Sequence, residues 1–132
     1  MYMLDTNICI YLINQRDANL RGRFETHAAE ICISSITYAE LCNGVANSAL
    51  VEQNTRELAS FRLDLDILAF GEEAGTHYGE IRHTLRQRGQ PIGANDLLIA
   101  AHARSVGATL VTNNPGEFGR VPGLRIENWA RM

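Results

Sequence analysis

Four places in this 132-residue chain carry side chains that could do chemistry together: Asp5, Glu40, Asp96, and the Asn113-Asn114 pair with Glu117 just beyond it. Carboxylates take the foreground because other chemistries lack their parts. All twelve basic residues are arginine. P-loop phosphate binding, Schiff-base chemistry and lysine-dependent phosphoaspartate switches therefore lack their central group. No Ser-His-Asp order or nucleophile elbow is present. Cys9, Cys32 and Cys42 are odd in number, have no CxxC spacing and lie in apolar segments, which reads as buried reduced thiols without a function. His102 sits inside an apolar run and reads as a core residue. His27, His77 and His83 fall on helical faces expected to be exposed and have no ligand spacing.

Whether the acids meet depends on the elements that carry them. Tyr2-Met3-Leu4 is a short apolar strand running into Asp5, and Thr6-Asn7 opens the amphipathic helix Ile8 to Ile13. Arg16-Asp17 marks a break before a helix from Ala18 to His27. Ile31 to Ser34 is the next strand, Ser35 caps a helix that carries Glu40 just over one turn in, and Ala49 to Arg62 is a further helix. Asp66 to Phe70 reads as a strand and Gly71 to Arg88 as the longest helix, with Ala74, Tyr78, Ile81 and Leu85 along one stripe. Gly89 to Gly93 is a loop, and Asn95-Asp96 opens a helix apolar nearly all round that Gly107 ends. Thr109 to Thr112 is a strand, Glu117-Phe118 a short helical turn, and Leu124 to Ile126 an edge strand before Trp129. This order, without a hairpin signature, predicts one three-layer α/β/α domain over residues 1–132 with a mainly parallel sheet of four to five strands.

In such a sheet, chemistry collects outside the carboxyl ends of the strands, and right-handed crossovers bring Asp5, Glu40, Asp96 and Asn113-Asn114 to the same rim. Like charges at close range are costly unless a cation neutralises them. Oxygen donors with little His or Cys nearby favour Mg²⁺ or Mn²⁺, and such ions lower the pKa of water for attack on a phosphodiester. Each acid also has an ordinary reading: Asp5 as a helix cap, Glu40 as a surface residue, Asp96 as complement to a helix dipole. Only their shared location favours the metal site.

Hydrophobic residues make up 45% and charged residues 20% of the chain, a globular balance. No apolar run approaches the ~18 residues needed to span a bilayer and no signal peptide is visible, so a cytoplasmic protein is expected. The net charge of −3 does not announce a nucleic-acid binder. Two bound divalent ions would shift it to about +1, so acidity does not exclude RNA. Arg82 and Arg86, one turn apart on the long helix, with Arg88 just beyond, are either a solvated face or a track for a phosphate backbone.

The segments MLDTN, SSITYAEL, PIGANDLLIAAHA and LVTNNPGEF, taken in series, resemble a PIN-domain ribonuclease of the VapC type, the toxin half of a bacterial toxin–antitoxin pair. The resemblance spans essentially the whole chain. It implies an acidic quartet that binds Mg²⁺ or Mn²⁺ and hydrolyses single-stranded segments of structured RNA, with transfer RNA and its anticodon loop as the expected target. The first three acids match Asp5, Glu40 and Asp96. The fourth falls in TNNPGEF, where many relatives carry Asp and this chain has Asn114, with Glu117 three residues on. Asn114 would coordinate through its carbonyl or hold a water, as could Thr112, and Thr6 and Asn7 would support the ligands from behind. Also implied are a homodimer, through Tyr11, Leu12 and Leu20, and a cognate VapB-type antitoxin that neutralises the toxin. A phosphatase with an aspartyl nucleophile would need a second acid where Asn7 stands and a lysine. A non-catalytic PIN-like protein-binding module is the alternative of another class, and it would be expected to have lost acids that are kept here.

Overall fold

Strands of three or four apolar residues have no polar face and must be covered on both sides. The computed structural model describes residues 1–15 and 17–130. It has strands β1 (Tyr2–Leu4), β2 (Ile31–Ser34), β3 (Asp66–Leu68), β4 (Thr109–Val111) and β5 (Ile126–Glu127). The helices are α1 (Thr6–Ile13), α2 (Ala18–Thr26), α3 (Ser35–Ala46), α4 (Val51–Arg62), α5 (Glu72–Gln87), α6 (Ala94–Ser105) and α7 (Pro115–Phe118). The sheet order is β3-β2-β1-β4-β5, every pairing parallel.

Alternation along each strand divides the core in two. Met3, Cys32 and Leu110 point to one face, where they meet Ile81 and Leu85 of α5, Leu97 and Ile99 of α6, and Phe118 of α7. Leu4, Ile31, Ile33 and Val111 point to the other, against Ile8 of α1, Leu20 and Phe24 of α2, Leu41 of α3, and Leu58 of α4. The three layers and the parallel sheet are those expected. Because β1 lies between β2 and β4, the chain leaves β1 in one direction and returns beside it from the other. The crevice at the carboxyl ends of β1 and β4 is the switch point where such folds bind ligands. The Asp5 N–H donates to the Val111 carbonyl at 3.0 Å and ties these two ends together.

Several boundaries shift for local reasons. Ser34, not Ser35, caps α3, accepting from the Ile36 N–H. The Ser35 hydroxyl instead accepts the Phe70 N–H at 3.0 Å, outside the strand ladder, and β3 ends at Leu68. A turn through Gly123, at φ +76°, holds Leu124 back, so the last strand is Ile126–Glu127. Asp17 caps α2, whereas Arg16, the other half of the expected break, lies outside the described residues, as do positions 131 and 132 of the expected domain.

Three burial expectations need correction. Leu12 and Leu20 are buried, at 2% and 0% exposure, so they leave no dimer surface; Tyr11 is half-buried with its hydroxyl accepting from Asn113. Cys42 is exposed, because it stands one helical step beyond the inward-facing Leu41. Burial pushes the thiols of Cys9 and Cys32 up, Cys32 to about 11, which keeps both inert. Of the histidines expected to be exposed only His83 is. His77 accepts from Arg104, and His27 stacks on Trp129 with centroids 5.1 Å apart.

Trp129 is 1% exposed, packs against both His27 and Tyr2 in a three-ring cluster, and accepts through its carbonyl from Asn19 of α2 at 2.7 Å. It pins the chain end and α2 over the same face. Trp129→Ala is expected to cost about 3–5 kcal/mol of unfolding free energy in a denaturant titration; a loss below ~1 kcal/mol would show that this face closes without it.

Candidate active site

Asp5 ends β1 and caps α1, its Oδ1 accepting the Ile8 N–H at 2.9 Å. The ordinary role of a cap is therefore real. A cap normally faces water, yet Asp5 is only 4% exposed. Burial raises its pKa first; the Thr112 hydroxyl and the Ile8 N–H pull it back, and the charge of Glu40 raises it again. Glu40 projects from α3 and has both oxygens occupied, Oε1 by the Thr6 hydroxyl at 2.5 Å and Oε2 by the Asn95 amide at 3.1 Å. Asp96, in the first turn of α6, is raised to about 6 by burial, then by the charge and a hydrogen bond of Glu117, then by Asp5 and Glu40.

The turn after β4 closes the site. The Asn114 N–H donates to the Thr112 hydroxyl at 3.0 Å, and its side-chain Oδ1 accepts from the Glu117 N–H at 3.3 Å to cap α7. Its Nδ2 donates to Glu117 Oε2 at 2.8 Å, while Glu117 Oε1 accepts the Gly93 N–H at 2.7 Å. The Asn114 amide is thus committed at both ends, and the acid this turn brings to the cluster is Glu117, set against Asp96. Gly93, at the N-cap of α6, has no side chain, and a Cβ there would stand 3.4 Å from Asp96 and 3.6 Å from Glu117.

Asp5, Thr6, Asn7, Glu40, Asp96, Asn114 and Phe118 line one cleft of about 100 Å³. All three acids assigned from sequence are brought together, with Asn114, Thr6 and Asn7 beside them and Thr112 and Glu117 behind. Arg82, Arg86 and Arg88 are exposed and outside the cleft. Missed from sequence were Asn95, which holds Glu40, and the Gly93 N–H, which holds Glu117; the only signal was their nearness to Asp96 in PIGAND.

Burial first, and mutual repulsion after it, hold Asp5 and Asp96 above the usual carboxylate range. The one ion pair among the described residues is Arg104 with Glu80, away from the cleft. Among the described residues no three His, Cys, Asp or Glu side chains stand close enough to enclose one ion directly. Mg²⁺ does not need that, since it keeps several waters and is held by one or two carboxylates. A lining of three carboxylates, two amides, a hydroxyl and the Phe118 ring, with no His or Cys, fits a hard divalent cation, and the cleft has room for an ion with water.

The model of the PIN domain family matches residues 2–124. The chain belongs to the PIN domain family. A Shigella flexneri protein named tRNA(fMet)-specific endonuclease VapC is 45% identical to this PIN domain over 129 residues, 98% of each chain. VapBC2 from Rickettsia felis, solved bound to a DNA fragment from its promoter, is similar with a TM-score of 0.92 and 48% identity, over 97% of this chain and 98% of that one. VapBC from Salmonella typhimurium bound to DNA gives 0.94 and 43%, over 98% of both chains. The relatives of this PIN domain are therefore VapC ribonucleases, and no helix among its described residues is long and apolar enough to cross a membrane.

Proposed function

We propose that residues 1–132 form a single PIN domain acting as a cytoplasmic, Mg²⁺- or Mn²⁺-dependent endoribonuclease of the VapC type, cutting structured RNA at a single-stranded segment, the anticodon region of a transfer RNA. The observation that carries this reading is the convergence of Asp5, Glu40 and Asp96, from remote parts of the chain, on one cleft that no cationic side chain lines among the described residues. The name of the Shigella relative supports initiator transfer RNA as the first substrate to try.

Asp5, Glu40 and Asp96 would share the ion, one or two of them directly and the rest through its waters. What a divalent ion supplies there is Lewis acidity, which makes water a nucleophile near neutral pH and offsets charge on the leaving oxygen. The protein's part is orientation. Thr112 and the Ile8 N–H fix Asp5, Thr6 and Asn95 fix both oxygens of Glu40, and Glu117 anchors the start of α6 through Gly93. Cleavage of total RNA with Mg²⁺ or Mn²⁺ and none in EDTA is the expected result. A chain that binds protein but leaves RNA intact with either metal would favour the non-catalytic module.

RNA outside the cleft needs cations, and Arg82, Arg86 and Arg88 lie beside the loop leading to Asp96. Replacing all three with Ala should flatten the salt dependence of RNA binding by about two units of slope, near 0.7 per phosphate contact on a single strand. An unchanged slope would place the RNA on another face.

A VapB-type antitoxin completes the reading. A groove of about 260 Å³ between α1, α3 and α4 has Ile10, Ile13, Leu41, Val45 and Leu58 along it and Glu40 in its wall. An apolar segment laid there could send an Arg or Lys from Glu40 into the acid cluster, taking the ion's place, since a guanidinium can bond two carboxylates at once. The homodimer belongs to the reading as well, through a surface other than Leu12 and Leu20.

A further inference from the structure

Beside the acidic cleft, on the other side of the first turn of α6, is a second and larger cavity. It measures about 460 Å³ and includes Tyr78, Arg82 and Arg86 of α5, Pro91 and Ile92 of the connecting loop, and Leu97 of α6 in its lining. Ala94 and Leu97 face it, one turn apart, while Asp96 between them in sequence faces the cleft. A helix is about 10–12 Å across with its side chains, so only a short stretch of single strand separates the two sites.

The chemistry of the two cavities is opposite. No acid lines the larger one. Its floor is apolar, and its rim carries two exposed guanidinium groups. Arg82 donates to the Tyr78 hydroxyl at 2.7 Å and lies 5.8 Å from the centroid of that ring, so the aromatic ring is held in place and electropositive at its edge. A flat apolar body attached to an anion suits that lining, and a nucleotide is such a body: single-stranded RNA is read by splayed bases stacked on aromatic rings or arginine planes. The cleft itself is smaller, about 100 Å³, and lined by three acids, which repel a phosphate-bearing nucleotide in the absence of an ion.

We infer that the Tyr78–Arg82–Arg86 cavity is a nucleobase subsite that takes one unstacked base of the RNA strand close to the cut, with the arginines on its phosphates. The inference rests on the ribonuclease reading and deepens it. It makes Tyr78 a binding residue acting on substrate position and not on the acids.

The test uses the full chain and single-stranded RNA oligonucleotides spanning the cut, each with one abasic nucleotide at a successive position. Binding is measured without added metal, and cleavage is measured separately. Tyr78→Leu keeps the apolar volume and should weaken binding of intact RNA roughly tenfold, while Tyr78→Phe, which keeps the ring, should restore most of it. One abasic position should weaken binding to the wild type but cost Tyr78→Leu nothing further. If losses from Tyr78→Leu and from every abasic position simply add, the subsite is overturned, even where the wild type cleaves. If the wild type cleaves no RNA but this coupling is present, the subsite stands and the ribonuclease reading falls. Sedimentation distinguishes the remaining occupant: a dimer that Tyr78→Leu converts to monomer would make the cavity a contact between two copies and overturn the assignment.

Discussion

Asp96→Asn is expected to lose RNA cleavage by a factor on the order of a thousand, because it removes one of three carboxylates that fit the ion, and to unfold at higher denaturant than the wild type. The second effect follows from linkage. In the metal-free fold Asp96 is raised from 3.8 to about 6 by burial and by Glu117, Asp5 and Glu40. Between those values the folded state binds more protons than the unfolded state, so stability falls as pH rises. This group's favourable share is complete below about pH 3.8 and lost as pH passes 6, leaving a strain of about 1–2 kcal/mol at pH 7 once solvent access to the half-buried group is allowed for. Asparagine removes the charge that carries it. The metal-free wild type should therefore lose stability between about pH 4 and pH 6 through this group, and the variant should lose less. Added Mg²⁺ should stabilise the wild type at pH 7 and the variant far less. Activity that survives in the variant or in EDTA would end the metal reading. A variant less stable than the wild type at pH 7 would show that Asp96 is held by interactions stronger than the repulsion.

Ile10→Glu should weaken the antitoxin roughly thirtyfold to a thousandfold, about 2–4 kcal/mol. Ile10 is 38% exposed on α1 and lines the groove that has Glu40 in its wall, so an acid there leaves the core untouched while placing a charge where an apolar segment would dock. Cleavage by this variant should persist at partner concentrations that silence the wild type. The route into the acid cluster predicts a second dependence: partner affinity should fall as Mg²⁺ is raised, since ion and guanidinium compete for the same carboxylates. Equal affinity with and without excess Mg²⁺ would confine the partner to the groove. Unaltered inhibition of Ile10→Glu would move it to another surface.

The acids of the site were legible in the sequence because their positions depend on local events. Asp5 follows an apolar strand, Glu40 lies on the helix after the next, and Asp96 opens a helix, so strand and cap signals suffice to put them on one rim. The same signals gave the parallel three-layer fold, since apolar runs of three or four residues joined by amphipathic helices admit little else. What only the tertiary structure decided is who stands opposite whom. Periodicity marks one face of α1 and α2 but cannot say what covers it; Leu12 and Leu20 are buried in the core that Phe61 and Trp129, far along the chain, help to close. Likewise Ser34 reaches His102 and Asn95 reaches Glu40 across 68 and 55 residues. The position of Glu117 against Asp96 rests on a Gly93 N–H donor supplied from 24 residues earlier. Hydrogen bonds and burial at such separations arise from packing of whole elements, and a short window of sequence carries no record of its distant partner.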